Sequence, residues 1–337
     1  MLALKWIEAA RRSMRGTGLC AIGPALVLAM AAAAGPLQAQ QFPTRPLKLI
    51  IPFPPGGSTD LGGRLVAAEM SANLGQPVIV ENKAGAAGTL GVDMVAKSAP
   101  DGYTMGLSGT GPTILAHLLG PKTAYTLKDL AIVGNTGLVE FMIVGRPGLP
   151  YASVREIVAA AKANPGKLSF ASSGTPGHLA IEYLSSVAGI KLLHVPYKGD
   201  SPALTDVMGG QVDLGVLTIA VSLTQVRAGK VKGIAVASEA RSPLLPDLPT
   251  VAESGVPGYE ASAFTMLVVP AATPAPIIER LNVALNAGVR KKELQDKFLS
   301  FGLVAVPGSA QAAAEVVRRD TEKWTRVIRD AKIQPQE

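Results

Sequence analysis

The chain has 337 residues, a formal charge of +7 and one cysteine. It is 48% hydrophobic and 17% charged, which excludes a disordered chain, and one cysteine excludes a disulfide framework or a cysteine-built zinc site. His117, His178 and His194 lie far apart in sequence, so no metal or other cofactor is expected.

The first segment reads as an address. Lys5, Arg11, Arg12 and Arg15 precede an uncharged run from Gly18 to Ala34, Gly35-Pro36 breaks it, and Leu37-Gln38-Ala39 resembles a cleavage site. This tripartite pattern predicts a secretory signal peptide over 1–39. Cys20 sits inside the leader after Thr17-Gly18-Leu19, a poor lipoprotein context. Removing the leader takes away four basic residues and Glu8, leaving +4 on about 298 residues. The close basic clusters that remain, Arg290-Lys291-Lys292 and Arg318-Arg319, have Glu293, Glu315 and Asp320 beside them. They read as solvated helix faces, and no nucleic-acid partner is expected. No later run reaches the length of a membrane span, so an exported, periplasmic, soluble and monomeric protein is expected.

Strand and helix signals then alternate. Leu47 to Phe53, Pro77 to Val80 and Tyr103 to Leu107 read as strands, with helices at Ser58 to Asn73 and Thr89 to Lys97. Leu130 to Val144 reads as one long β-rich stretch. Ser153, with Glu156 three residues on, opens a helix through Ala163. Strands follow at Leu168 to Ala171, Leu192 to Val195, Val212 to Leu217 and Val231 to Ala237, with helices at His178 to Ala188 and Pro202 to Met208. A proline-rich passage leads to a strand at Phe264 to Val269, and helices at Pro274 to Val289, Lys291 to Phe301 and Ala310 to Ala331 finish the chain. Strands separated by helices predict parallel sheets in an α/β fold of two blocks. The final helices have one strand of their own and are expected to cover the first block, so the chain crosses between domains twice.

Loops rich in Gly, Ser and Thr follow these strands. The first, Pro52 to Asp60, contains Phe53, Pro55, Gly56, Gly57, Ser58, Thr59 and Asp60 and opens a helix. Tandem glycine brings backbone close to a ligand, and a helix start suits a carboxylate or phosphate. Ser108-Gly109-Thr110, Ser172-Ser173-Gly174-Thr175 before His178, and Tyr197-Lys198-Gly199 have the same character. In parallel α/β sheets ligands sit at the carboxyl ends of strands, so these loops predict an anion site. Catalytic motifs are absent: there is no nucleophile elbow, Walker loop or H-E-x-x-H. Ser172 or Ser173 beside His178 is the one nucleophile–base arrangement on offer. It makes a periplasmic serine hydrolase an alternative, against which a packing or ligand-binding role for His178 is preferred.

The ordered motifs Phe42-Pro43-Thr44-Arg45-Pro46, Pro52 to Asp60, Gly75 to Asn82, Ala99-Pro100-Asp101-Gly102-Tyr103-Thr104, Asn164 to Leu168, His194 to Gly199, Gly209 to Asp213 and Leu245 to Glu253 resemble the Bug receptors, the periplasmic solute-binding proteins of tripartite tricarboxylate transporters. The resemblance spans nearly all of the mature chain. It implies a two-domain periplasmic-binding-protein fold (type II-like) with the ligand cleft between the domains. It implies capture of a small organic carboxylate and delivery to membrane transporter subunits, without chemistry. The expected domains are 40–145 plus 259–337, and 146–258. The implied cradle is Phe53 to Asp60, completed by Ser108–Thr110, Ser172–Thr175 and Tyr197–Gly199. A ligand-sensing module for a membrane sensor is the other receptor reading. Three departures stand out: a shorter loop from Ser173-Gly174 to His178, an apolar stretch from Leu214 to Ala220, and Phe264 where tryptophan is common. They imply a more apolar far end of the pocket.

Overall fold

The computed structural model describes residues 42–120 and 123–333; the leader expected at 1–39 and its Cys20 lie outside them. The described residues from Arg45 on fold as one unit. Along the chain come β1 (Leu47–Ile51), α1 (Ser58–Leu74), β2 (Val78–Asn82), α2 (Thr89–Ala96) and β3 (Thr104–Gly109). A π-helical turn (Gly111–Leu115) runs into the short α3 (Ala116–Leu119). Then follow β4 (Leu130–Val139), β5 (Phe141–Gly145), α4 (Val154–Ala163), β6 (Ser169–Ser173), α5 (Gly174–Ala188), β7 (Leu193–Tyr197), α6 (Asp200–Met208), β8 (Leu214–Thr218), α7 (Ile219–Arg227) and β9 (Lys232–Val236). The last elements are β10 (Ala263–Pro270), α8 (Ala275–Val289), α9 (Lys292–Ser300), β11 (Leu303–Ala305) and α10 (Ala310–Asp330).

The strands form two sheets, ordered β11-β4-β10-β3-β1-β2 and β7-β6-β8-β5-β9. Apolar runs such as Leu47–Ile51, buried at four of five positions, are what a strand covered on both faces requires. The expected parallel pairing holds for β1 with β2 and β3, and for β6 with β7 and β8. It fails elsewhere: β10 runs antiparallel to β3 and β4, and β5 antiparallel to β8 and β9. The sheets are therefore mixed. Two of the reversed strands, β5 and β10, are entered from the other sheet, without a covering helix to impose parallel direction; the third, the short edge strand β11, runs antiparallel to β4.

The long β-rich stretch is two strands in different sheets, parted at Glu140. The first crossing thus falls at Glu140 and not at 145/146, because β5 pairs with β8 and β9. Glu140 is 3% exposed. Its carbonyl accepts the Ile219 N–H at 3.0 Å, and its carboxyl accepts from Ser242 Oγ at 2.5 Å. The returning chain runs alongside, with the Ala237 N–H donating to Phe141 O and the Ala261 N–H to Ala237 O, both at 2.8 Å.

The Ser153 cap is as expected: its Oγ accepts the Glu156 N–H, and the Glu156 carboxylate accepts the Ala152 N–H. α8 packs on α1 and β4, and α9 on β11, so both cover the first sheet. α10 does more, packing on β4 and reaching α5 of the other lobe. Its buried Trp324 meets Tyr183 edge-on at 6.3 Å, and Lys323 pairs with Glu260 at 2.6 Å. Where α9 turns into β11, Gly302 has φ +70°, and a Cβ there would stand 2.4 Å from the Ala220 Cβ and 2.7 Å from the Ala220 N. The two lobes meet at this point with no room for a side chain on Gly302.

Burial pushes the Glu140 carboxyl above its ordinary value of 4.5, against the hydrogen bonds from Ser242 and Ser238. The folded chain therefore keeps a proton that the unfolded chain releases as pH rises from 4.5, and stability is lost through that window. Glu140→Gln should remove this loss and gain stability relative to the parent as pH rises. Glu140→Ala should cost about 1–3 kcal/mol by orphaning Ser242. Denaturant unfolding at a series of pH values checks both.

Candidate functional site

A cavity of about 1010 Å³ opens where the carboxyl ends of β1, β3, β6 and β7 face the crossing strands. On one side it is lined by Phe53, Thr59, the Ser108–Pro112 segment and the π turn through α3. On the other stand Ser172, Thr175, His178, His194 and Tyr197, with Phe141, Phe264 and Thr265 near the crossings.

The first loop is braced from behind by Asp60. Its carboxylate accepts from the Gly56 N–H at 2.9 Å, Arg64 Nε at 3.0 Å and Asn82 Nδ2 at 2.8 Å, while Asn82 also donates to Phe53 O. Burial alone would raise its pKa, but these bonds, with the Arg64 charge, outweigh it and hold the carboxyl below its ordinary value. One carboxylate thus ties loop, α1 and β2 together. The first intrahelical bond of α1 runs from the Leu61 N–H to Gly57 O. The N–H groups just before it lie at the positive end of the helix, beside Thr59 on the cavity wall.

The middle of the wall is a direct strand-to-helix junction. β3 runs through Gly109, and a Cβ there would stand 2.7 Å from Phe264 O, so glycine is what lets β3 approach β10. Thr110 Oγ1 accepts the Phe264 N–H at 3.0 Å, and Ser108 pairs with Thr113 at 2.5 Å. In the π turn the Ala116 N–H reaches back to Gly111 O, and the Pro112 carbonyl is taken by Tyr125 Oη at 2.6 Å.

The opposite wall is a stack of rings. His178 and His194 lie parallel at 4.0 Å between centroids, with Phe170 at 4.7 Å beyond His194. β6–β7 pairing sets Phe170 opposite His194, which brings His194 Nε2 to 2.9 Å from Ser172 Oγ. His178 Nε2 lies 3.4 Å from Glu182 instead. Burial, then the neighbouring His178, push His194 down to about 4 against the pull of Glu182. His194 is therefore an uncharged ring at neutral pH. Tyr197 donates to Asp206 at 2.5 Å, and burial with that contact pushes its hydroxyl up to about 12.

The comparisons with known proteins agree with one another. Residues 63–333 match the family described as tripartite tricarboxylate transporter family receptor. The chain belongs to this family. BugT of Bordetella pertussis is 35% identical over 309 residues, 90% of this chain and 95% of that one. Among solved structures, Rpa4515 of R. palustris with adipate superposes with a TM-score of 0.76 at 32% identity, covering 88% of this chain and all of the other. MatC of Rhodopseudomonas palustris with bound malate gives 0.71 at 31% identity, covering 85% and all of it.

In this receptor the sequence-derived residues divide between wall and support. Phe53, Thr59, Ser108, Gly109, Thr110, Ser172, Thr175, His178 and Tyr197 line the cavity. Pro55, Gly56, Gly57, Ser58, Ser173, Lys198 and Gly199 are not on its wall. Asp60 is withdrawn into the brace at 2% exposure. Ser173 is turned to the Asp200 carboxylate, which also accepts the Thr218 N–H at 2.9 Å and Thr218 Oγ1 at 2.6 Å. Lys198 points to solvent. The hydrolase alternative needs Ser172 or Ser173 beside His178; Ser172 instead pairs with His194, and Glu182 stands by His178. Sequence reasoning missed His194, the π turn and α3; the spacing of Phe170, Ser172 and His194 on adjacent parallel strands was the available signal.

Asp60→Ala should destabilise the fold by about 1–3 kcal/mol, since it removes the buried acceptor shared by the Gly56 N–H, Asn82 and Arg64, as thermal or denaturant unfolding will measure. The second outcome concerns pH. An unfolded histidine binds its proton near 6.5, whereas His194 resists until about 4. Its contribution is complete above 6.5 and is lost as pH falls to about 4. His194→Phe, which keeps the stacking, should flatten the fall in Tm over that window.

Proposed function

We propose that this chain is the periplasmic receptor that captures a small organic carboxylate between its two lobes and delivers it to the membrane subunits of a tripartite transporter. The lobes are read as two domains joined at the paired crossing strands. The observation that carries this reading is the convergence of the starts of α1 and α5 on one cavity that, among the described residues, has no carboxylate on its wall. Each helix start brings about half a positive charge and unshared N–H donors. A hydrogen bond to a charged group contributes about 1.5–3 kcal/mol, so a few of them approach the roughly 8 kcal/mol of a micromolar complex after association costs. Rpa4515 with adipate and MatC with bound malate support the carboxylate class. The Ser172–His194 pair is poorly placed to act as nucleophile and base: Ser172 is 2% exposed, and His194 is packed against the His178 and Phe170 rings.

Export and leader removal complete the reading. Titration of the purified mature chain with organic acids tests it. A cognate acid at one hundred times its Kd should stabilise the fold by about 2.7 kcal/mol, read as a rise in Tm. No stabilisation by any organic acid would remove the proposal.

A further inference from the structure

The wall of the cavity is polar in only a few places, and most of those are already occupied. Ser108 is bound to Thr113, Thr110 accepts from Phe264, Ser172 is bound to His194, and Tyr197 donates to Asp206. The Thr123 hydroxyl is turned to Tyr125 O at 2.7 Å. Thr59, at the start of α1, has a hydroxyl with no protein partner among the described residues. At the start of α5, Pro176 removes one N–H donor from the first turn.

Charge points the same way. Among the described residues no lysine or arginine lines the cavity. The stacked ring of His194 is uncharged at neutral pH. The charged groups just behind the polar wall are carboxylates: Glu182 beside His178 and Asp206 beneath Tyr197. A second anionic group of a ligand would lose its water there without gaining a cation, a cost of several kcal/mol.

Beside Thr59 and the Ser108–Thr110 segment, on the same side of the cavity, the lining turns apolar. Pro112, Leu115, Ala116 and Leu119 come from the single π turn and α3, held by the Tyr125 hydrogen bond, and Phe264 closes the surface from β10. Such a wall rewards apolar area at about 25 cal/mol per Å².

We propose that the ligand of this receptor is a monocarboxylate with an apolar body of ring size, its carboxylate at the start of α1 and its body against the π turn and α3. The inference rests on the carboxylate-receptor reading and narrows it. It sets this chain apart from relatives solved with the two-carboxylate acids adipate and malate.

Calorimetric titration of the mature chain tests it, with phenylacetate and cyclohexanecarboxylate against adipate and malate, and phenylacetamide as the uncharged isostere. The apolar monocarboxylates should bind at least about tenfold tighter than either diacid. Ala116→Arg at a half-buried wall position, and Ala124→Arg at an exposed one, should each weaken phenylacetate by about tenfold and strengthen adipate. The exposed site keeps the test valid if the first variant folds poorly. Adipate or malate binding as tightly as phenylacetate would overturn this inference and leave the carboxylate reading standing. Phenylacetamide binding as tightly as phenylacetate would overturn both.

Discussion

The architecture depends on a double crossing that has to be buried. Two strands pass between the sheets at the floor of the cavity, and water cannot satisfy their polar groups there. The chain answers with a closed set of hydrogen bonds. Phe141 O takes the Ala237 N–H, Ala237 O takes the Ala261 N–H, and Glu140 O takes the Ile219 N–H that starts α7. The Glu140 carboxyl, itself buried, is closed by Ser242. Antiparallel direction in β5 and β10 follows from this arrangement. With the crossings pinned together, the carboxyl ends of β1, β3, β6 and β7 are brought to the same cavity.

Much of this was legible because it rests on local chemistry. The apolar runs of β1 and β10, the Ser153 cap and the glycine-rich entry to α1 carry their signals within a few residues. The split of 130–144 at Glu140 was not legible, because a single buried glutamate inside a β-rich run reads locally as one more strand residue. α7 (Ile219–Arg227) went unread because it follows β8 directly at Thr218: Val216-Leu217 runs into Ile219-Ala220-Val221 with no loop to part strand from helix. The π turn escaped because its extra residue is compensated from a distance by Tyr125.

The site shows the same division. Residue types at strand ends pointed to the right regions, but not to the direction of each side chain. Asp60 and Ser173 look like ligand donors in a string of Gly, Ser and Thr. In three dimensions both are spent on the protein, Asp60 on Gly56, Asn82 and Arg64, and Ser173 on Asp200. His194 was overlooked as a wall residue since its neighbours Ser172 and Phe170 are more than twenty residues away in sequence and meet it only through the β6–β7 register. Registers between parallel strands are set by packing of whole lobes, which no local pattern encodes.

Gly302 fixes a dimension that side chains cannot. Where the turn after α9 meets Ala220, only the Ala220 methyl and main chain stand between the lobes. Side-chain contacts yield by changing rotamer; a main-chain contact has no rotamer to change. The gap between the lobes on that flank is therefore set by bond lengths and van der Waals radii, and is indifferent to repacking elsewhere in the core. On that flank the lobes are held by a contact that no change of rotamer can loosen.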